Sequence, residues 1–300
     1  MSTQITTAFV QQYKSNIIML SQQRGSVFRG TVREDPDFLM GKAGYFERIG
    51  STAAVKRTTR HGDTPLQETP HSRRRITMDD YEWADLIDNQ DRIRMLIDPE
   101  SSYSINASWA MGRSADEIIR DAALGNSYSM DEDDAATAVA LPAGQKVVVD
   151  NHAYDSGSGD VGLTVGKLIA AKEIFEAGNV EKGEKLYCAI NAKQKAQLLT
   201  ATEIQSADYN SVRALVQGEV NTFMGFEFMD YQNLSTDSNS DQQVFCWANS
   251  GIGLAVGSDV EARITERADK SYSTQVFLAM SMGATRVEDE KVVEIACDPT

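Results

Sequence analysis

Three hundred residues, 41% of them hydrophobic, can bury a substantial core in one large domain or two smaller ones. A net charge of −15 and a pI near 4.7 exclude a protein whose surface as a whole binds nucleic acid or an anionic membrane. No apolar run approaches the roughly 18 residues of a membrane span, and the N-terminus has no signal-peptide core, so an intracellular product is expected.

Residues 1–40 read as a polar arm carrying a short helix, with Phe9, Tyr13, Ile17 and Leu20 on one narrow stripe. Such a helix either packs on its own core or reaches a neighbour. After Arg24-Gly25 the pattern dissolves. Residues 41 to about 78 then form two extended arms, GKAGYFERIGSTAAVKRTT and QETPHSRRRITMDD, around a turn signal at His61-Gly62-Asp63. Thr and Val at strand-like positions predict a long hairpin. With almost no large apolar residues it has no core of its own, so it is ordered only by lying on something else, expected to be another copy of the chain.

Residues 89–125 look helical, broken at Asp98-Pro99, with the longer piece from about Tyr103 to Leu124 and Gly125 as its C-terminal stop. Ile105, Trp109, Gly112, Ala115, Ile119 and Ala122 mark one face, small enough for a sheet to approach closely. An acidic run, DEDD (131–134), precedes a strand QKVVVD (145–150). Residues 163–178 form the clearest helix, with Thr164 as N-cap, Val165, Leu168, Ala171 and Phe175 inward, and Gly178 as stop. A strand KLYCAIN (185–191), a helix AKQKAQLLTA and β signal around VNTFMGFEFMDY (220–231) follow, then a polar loop at 232–243. The last sixty residues alternate in β segments: QVFCWAN, IGLAV, EARITERA, TQVFLAMSMGATRV and KVVEIAC. Helices in the middle and antiparallel strands late indicate an α+β fold.

Catalytic and metal motifs fail on spacing. Cys188, Cys246 and Cys297 are far apart and His61, His71 and His152 lie in polar sequence, so no four-ligand zinc cluster exists; buried free thiols are expected. Gly157-Ser158-Gly159-Asp160-Val161-Gly162 spells the dinucleotide fingerprint GxGxxG. However, six residues separate it from the preceding strand, and Asn191 stands where a ribose-binding acid belongs. Gly166-Lys167 lacks the glycine and hydroxyl residue of a phosphate loop, having Val161 and Leu168 there. The acids DEDD, Asp155 with Asp160, and Asp237 with Asp241 fit no EF-hand spacing and read as solvated loops. His152 has no marked partner for nucleophilic catalysis. No catalytic residue, metal or cofactor is expected.

The basic residues are distributed unevenly. Between residues 56 and 75, Lys56, Arg57, Arg60, Arg73, Arg74 and Arg75 stand against Asp63 and Glu68, about four net positive charges in a chain of −15, leaving about −19 elsewhere. A basic hairpin on an acidic body can dock on an identical acidic body, and these six are the candidate inter-subunit contacts. The alternative is that they only keep an exposed hairpin soluble. Nucleic-acid contact lacks the interleaved aromatics that would support it.

The order of segments, with the helix ending in DEIIRDAALG (116–125) and the closing stretch GSDVEARITERADKSYSTQVFLAMSMGATRVEDEKVVEIACD (257–298), resembles the major capsid protein of tailed bacteriophages, the Hong Kong 97 fold. The resemblance spans nearly the whole chain and rests on segment order, with no short motif. It implies an N-arm at 1–40, an extended loop at 41–80, a peripheral domain with a long spine helix from 81–150 and 257–300, and an axial α/β domain at 151–256. The 232–243 loop then lies near the capsomer centre. It also implies a structural protein, not an enzyme: pentamers and hexamers closing into an icosahedral head around double-stranded DNA, held without sequence specificity. Implied partners are other copies, a portal and a decoration or cement protein; with no long coiled-coil N-terminal extension of the kind that serves as a fused scaffold, either such an extension was removed or a separate scaffolding protein is a further partner. In the founding member a loop lysine bonds to a neighbour's asparagine; Lys56 is the lysine well inside this loop, and no asparagine partner is identified. Assembly is expected in the host cytoplasm and residence in the virion. An encapsulin-like shell carrying cargo enzyme shares the fold and is one alternative; an NAD-dependent oxidoreductase using 157–162 is the other.

Overall fold

The computed structural model describes residues 21–35, 43–60, 62–64, 66–88, 100–130, 135–154, 158–200 and 222–299. The expected helix at 9–20, the break at Asp98-Pro99, DEDD, Asp155, Gly157 and His61 lie outside these residues. Among the described residues, fourteen strands and three α-helices follow in this order: β1 (Arg33–Asp35), β2 (Ala43–Ile49), β3 (His71–Thr77), β4 (Asp79–Ile87), α1 (Glu100–Leu124), β5 (Ser127–Met130), β6 (Ala136–Val139), β7 (Lys146–Val147), α2 (Val165–Ala177), β8 (Leu186–Ile190), α3 (Ala192–Thr200), β9 (Thr222–Phe223), β10 (Phe226–Asp230), β11 (Gln242–Ala248), β12 (Ile252–Arg267), β13 (Ser273–Arg286) and β14 (Val292–Cys297). They make an α+β protein with three sheets, ordered β1-β12-β13-β4, β7-β14-β11-β8-β10-β9 and β2-β3-β5-β6. None of the described helices is long and apolar enough to cross a membrane.

The chain divides into two compact units, and the division falls within α1, β12 and β13. The first comprises residues 1–26, 80–113 and 258–280. In it, residues 22–26 lie along the first half of α1. Arg113 Nη1 donates to Gln22 Oε1 and the Gln23 carbonyl (3.0 and 3.2 Å), and the Arg24 guanidinium sits 5.4 Å from the Trp109 ring centre. A β-carbon at Gly112 would lie 2.6 Å from the Gly25 carbonyl carbon, so glycine is required there by close approach of backbone. The expected sheet is therefore not what meets Gly112. The buried stripe of α1 is Ala107, Met111, Ala115, Ile119 and Ala123, while Ile105 is exposed, so the sequence-based face is shifted over its first turns.

The second unit comprises residues 27–79, 114–257 and 281–300, and its core is the six-stranded sheet. Alternation assigns its two faces. Leu186, Cys188, Ile190, Val244, Cys246, Ala248, Val293, Ile295 and Cys297 face one way and pack with Leu168, Ala171 and Phe175 of α2. Tyr187, Phe245 and Trp247 face the other, where Phe28 meets Phe245, Trp247 and Tyr231 at ring-centre distances of 4.7–5.5 Å. Residues 27–35, which showed no sequence pattern, are thus built into the unit: Trp247 Nε1 donates to the Thr31 carbonyl (3.1 Å) and β1 pairs in parallel with β12. Helix α2 has the expected ends, Thr164 Oγ1 accepting from Lys167 N at 3.2 Å and Gly178 closing it. The expected strand 145–150 is reduced to β7, because Ala143–Gln145 form a 3-10 turn and Val148 is exposed. The late segments IGLAV and EARITERA are one continuous strand, β12.

Candidate assembly surfaces

The long hairpin is a ladder only at its root. Strands β2 and β3 pair in antiparallel register from Ala43↔Thr77 to Ile49↔His71, and Gly50 N donates to the Pro70 carbonyl at 2.8 Å. The root has a core after all. Phe46 and Ile76 are buried with Ala255 and Val287 of the same chain. Two glycines admit it: a β-carbon at Gly253 would meet the Phe46 ring at 2.6 Å, and one at Gly283 would collide with the Thr77 backbone.

Beyond the root the chain changes character. Every described residue from 51 to 71 is exposed, and those between the strands form no ladder. Leu66 is 95% exposed, and Ile49 and Val55 are 69% and 56% exposed. Within one subunit this strap buries nothing, and the free energy of ordering it has no internal source.

The six candidate basic residues fall into different environments. Lys56, Arg57 and Arg60 are exposed on the strap, and Arg57 Nε donates to the Thr59 carbonyl at 2.8 Å. Arg73 is exposed and pairs across the ladder with Glu47 at 3.2 Å. Arg75 is half-buried. Arg74 is interior: its side chain is 2% exposed and Nη2 donates to Asp289 Oδ2 at 2.5 Å. Burial pushes the Arg74 guanidinium down from its usual range, opposed by the Asp289 carboxylate. Alternation along β3 puts Arg74 on the face of Ile76 and its neighbours on the other.

Asp289 is shared. Arg286, fully buried, donates from Nε to Asp289 Oδ1 (2.6 Å), from Nη1 to the Ala123 and Gly125 carbonyls (3.1 and 2.8 Å), and from Nη2 to the Val139 carbonyl (3.0 Å). One guanidinium thereby caps the C-terminus of α1 and ties it to β6 and the 289 turn. Asp116, also buried, accepts from the Val27 and Phe28 amides at 2.9–3.1 Å and anchors the N-terminal segment. Neither was found from sequence; a charged residue at an inward position of an apolar pattern was the available signal.

A second open surface belongs to the outer part of β12. Residues 261–266 are consecutively exposed, and since successive side chains alternate, both faces of that stretch are open. Ile264 is 50% exposed there, and Tyr272, in the turn between β12 and β13, is 62% exposed. The 232–243 loop is preformed: Asp237 Oδ1 accepts from the Asn239 and Asp241 amides (2.8 and 3.0 Å), so that carboxylate caps its own turn.

The chemical motifs have structural explanations. The ammonium of Lys167, fully buried, donates to the Val161 and Ala296 carbonyls (2.7 and 2.8 Å), tying the glycine loop and β14 to the start of α2, where a pyrophosphate would have to sit. Burial pushes this lysine down, with Asp241, Asp160 and Asp298 pulling the other way. A β-carbon at Gly162 would collide with Gln197, whose Oε1 accepts from Leu163 N at 3.0 Å. His152 Nε2 lies 2.8 Å from the Gly159 carbonyl and closes the same loop. Among the described residues no group of three or more His, Cys, Asp or Glu is placed to hold a metal ion.

The family described as "Phage capsid protein" matches residues 5–299. No curated protein sequence matches the chain. Solved structures do. The capsid of cyanophage P-SCSP1u is 15% identical, with 99% of this chain and 95% of that chain covered and a TM-score of 0.73. The capsid asymmetric unit of cyanophage Pam1 is 13% identical, with 97% of each covered and a TM-score of 0.72. A chain of Mycobacterium phage Che8 is 14% identical, with 96% and 97% covered and a TM-score of 0.70. With identity this low the likeness is one of fold, and the family match over residues 5–299 supplies the role. The chain belongs to the phage capsid protein family, has the Hong Kong 97 fold, and is a major capsid protein.

Proposed function

We propose that this chain assembles head-to-tail into rings of five and six that close into an icosahedral phage head around double-stranded DNA. The observation that carries the reading is the strap, exposed at every described residue from 51 to 71, with Leu66 95% exposed. A segment that buries nothing in its own subunit is explained by a neighbour that covers it. Heterologous contacts with rotational closure make rings, and each contact can be weak because every subunit has many neighbours. The strap supplies Lys56, Arg57 and Arg60 to the acidic surface of the next copy, while Arg74 holds the strap's root to its own subunit.

In this assignment residues 1–40 are the N-arm and 41–80 the extended loop. The peripheral part comes from 81–150 and 257–300, without β7 and β14. The axial part is 151–256, to which β7 and β14 are added because they share the six-stranded sheet. Portal, decoration and separate scaffolding proteins are the expected partners, with assembly in the host cytoplasm. The family description favours a phage head over an enzyme-carrying compartment. A net charge of −15 suits DNA that must be packed and later leave, since few cations hold its phosphates.

Charge reversal on the strap tests this. Lys56→Glu, Arg57→Glu and Arg60→Glu together should lower the salt concentration at which particles dissociate by at least about twofold, with subunit unfolding unchanged, because rim charges act on association. Particles of unaltered yield and salt tolerance would contradict it.

A further inference from the structure

Cys188 in β8 and Cys246 in β11 are Cα partners on adjacent antiparallel strands. Asn249 N donates to the Lys185 carbonyl at 3.2 Å, making 185 and 249 a hydrogen-bonded pair. The ladder alternates, so 187/247 is another such pair and 188/246 is a narrow, non-hydrogen-bonded one, with Cα atoms typically about 4.5 Å apart. That separation is inside the roughly 4.4–6.8 Å range of disulfides. Both thiols are fully buried on the same face of the sheet, in one core cluster. Burial pushes the Cys188 thiol well up, which keeps it protonated and slow to react. Cys297 stands opposite Gln242, whereas Val293 is opposite Cys246. Four residues of strand, about 13 Å, put Cys297 beyond disulfide reach of Cys246.

We infer that Cys188 and Cys246 are a latent disulfide site, which a small two-electron oxidant of the peroxide class closes to staple β8 to β11 without a change of fold. With hydrogen peroxide, two S–H bonds and one O–O bond break and one S–S bond forms. The thiols lose two electrons to the peroxide oxygens, and the two thiol hydrogens leave in two molecules of water. With glutathione disulfide the same bond forms by exchange, releasing two molecules of reduced glutathione. The state of the pair follows the compartment: open in a reducing cytoplasm, closed in an oxygenated medium.

The test has two arms on the full chain. In one, assembled protein is treated with hydrogen peroxide at rising temperature. In the other, the chain is unfolded and refolded in a glutathione redox buffer, which requires no access to a folded interior. Thiols are then counted by alkylation in denaturant and linked peptides identified by mass spectrometry. The expected result is a fall from three free thiols per chain to one, with Cys188 and Cys246 in the linked peptide. Cys297→Ala should keep the link, and Cys246→Ala should leave both remaining thiols free. The link in either arm supports the site. Three free thiols in both arms, sulfur oxides without a disulfide, or a link through Cys297 would overturn it.

Discussion

Asp289 lies between two arginines that are almost completely withdrawn from water, and it makes their burial tolerable. A buried guanidinium without its carboxylate is a large penalty, so removing one partner costs more than the pair contributes. Arg286→Met leaves the Ala123, Gly125 and Val139 carbonyls without their donor. It should lower stability by about 3–5 kcal/mol in urea titration of the subunit, and Arg74→Glu should do the same. A change within about 0.5 kcal/mol would show that neither side chain is held as described. The contrast with the strap is sharp: Arg57 and Arg74 look alike in the sequence, yet only the second is interior. The run Arg73-Arg74-Arg75 reads as one basic patch because charge is additive along a chain. Strand geometry separates it, since period-two alternation turns the middle residue toward Ile76 and the core.

Among the elements, the strap's root is where sequence and structure diverge most usefully. Its sparse apolar residues promised no core, but two of them, Phe46 and Ile76, are enough because Gly253 and Gly283 let them and the Thr77 backbone come close. Gly283→Val should therefore force the root off the sheet. It should cost about 1–3 kcal/mol and raise proteolytic cleavage in residues 50–70; unchanged proteolysis would contradict the contact. Elements with strong local signals were legible: α2 with Thr164 and Gly178, the alternating strand β13, and the apolar strands β8, β11 and β14. The face of α1 was not, because its small residues suit both flanks, and residues 22–26 of the same chain cover one of them. Strand β12 reads as two pieces because Gly257-Ser258-Asp259 resembles a turn, yet pairing carries the backbone through. Position Gly257 is instead a close approach, where a β-carbon would lie 2.8 Å from Met78 Sδ.

For the whole molecule, the decisive property is what one subunit leaves uncovered. The strap and the outer part of β12 both expose apolar side chains that a neighbour can cover. Charge divides the same way, cations on the strap and a large negative excess elsewhere, and in the proposed assembly this complementarity orients one copy against the next. Fold and role were legible in the order of segments, whereas the contacts were not: interfaces between identical chains leave no periodic mark in either one. The central claim is that these surfaces build a shell, and electron microscopy of the purified chain across concentration and salt tests it most directly. The account predicts closed shells, tubes or rings of five and six that disperse as salt rises. A monomer at every concentration and salt, with the strap already folded onto its own subunit, would contradict it.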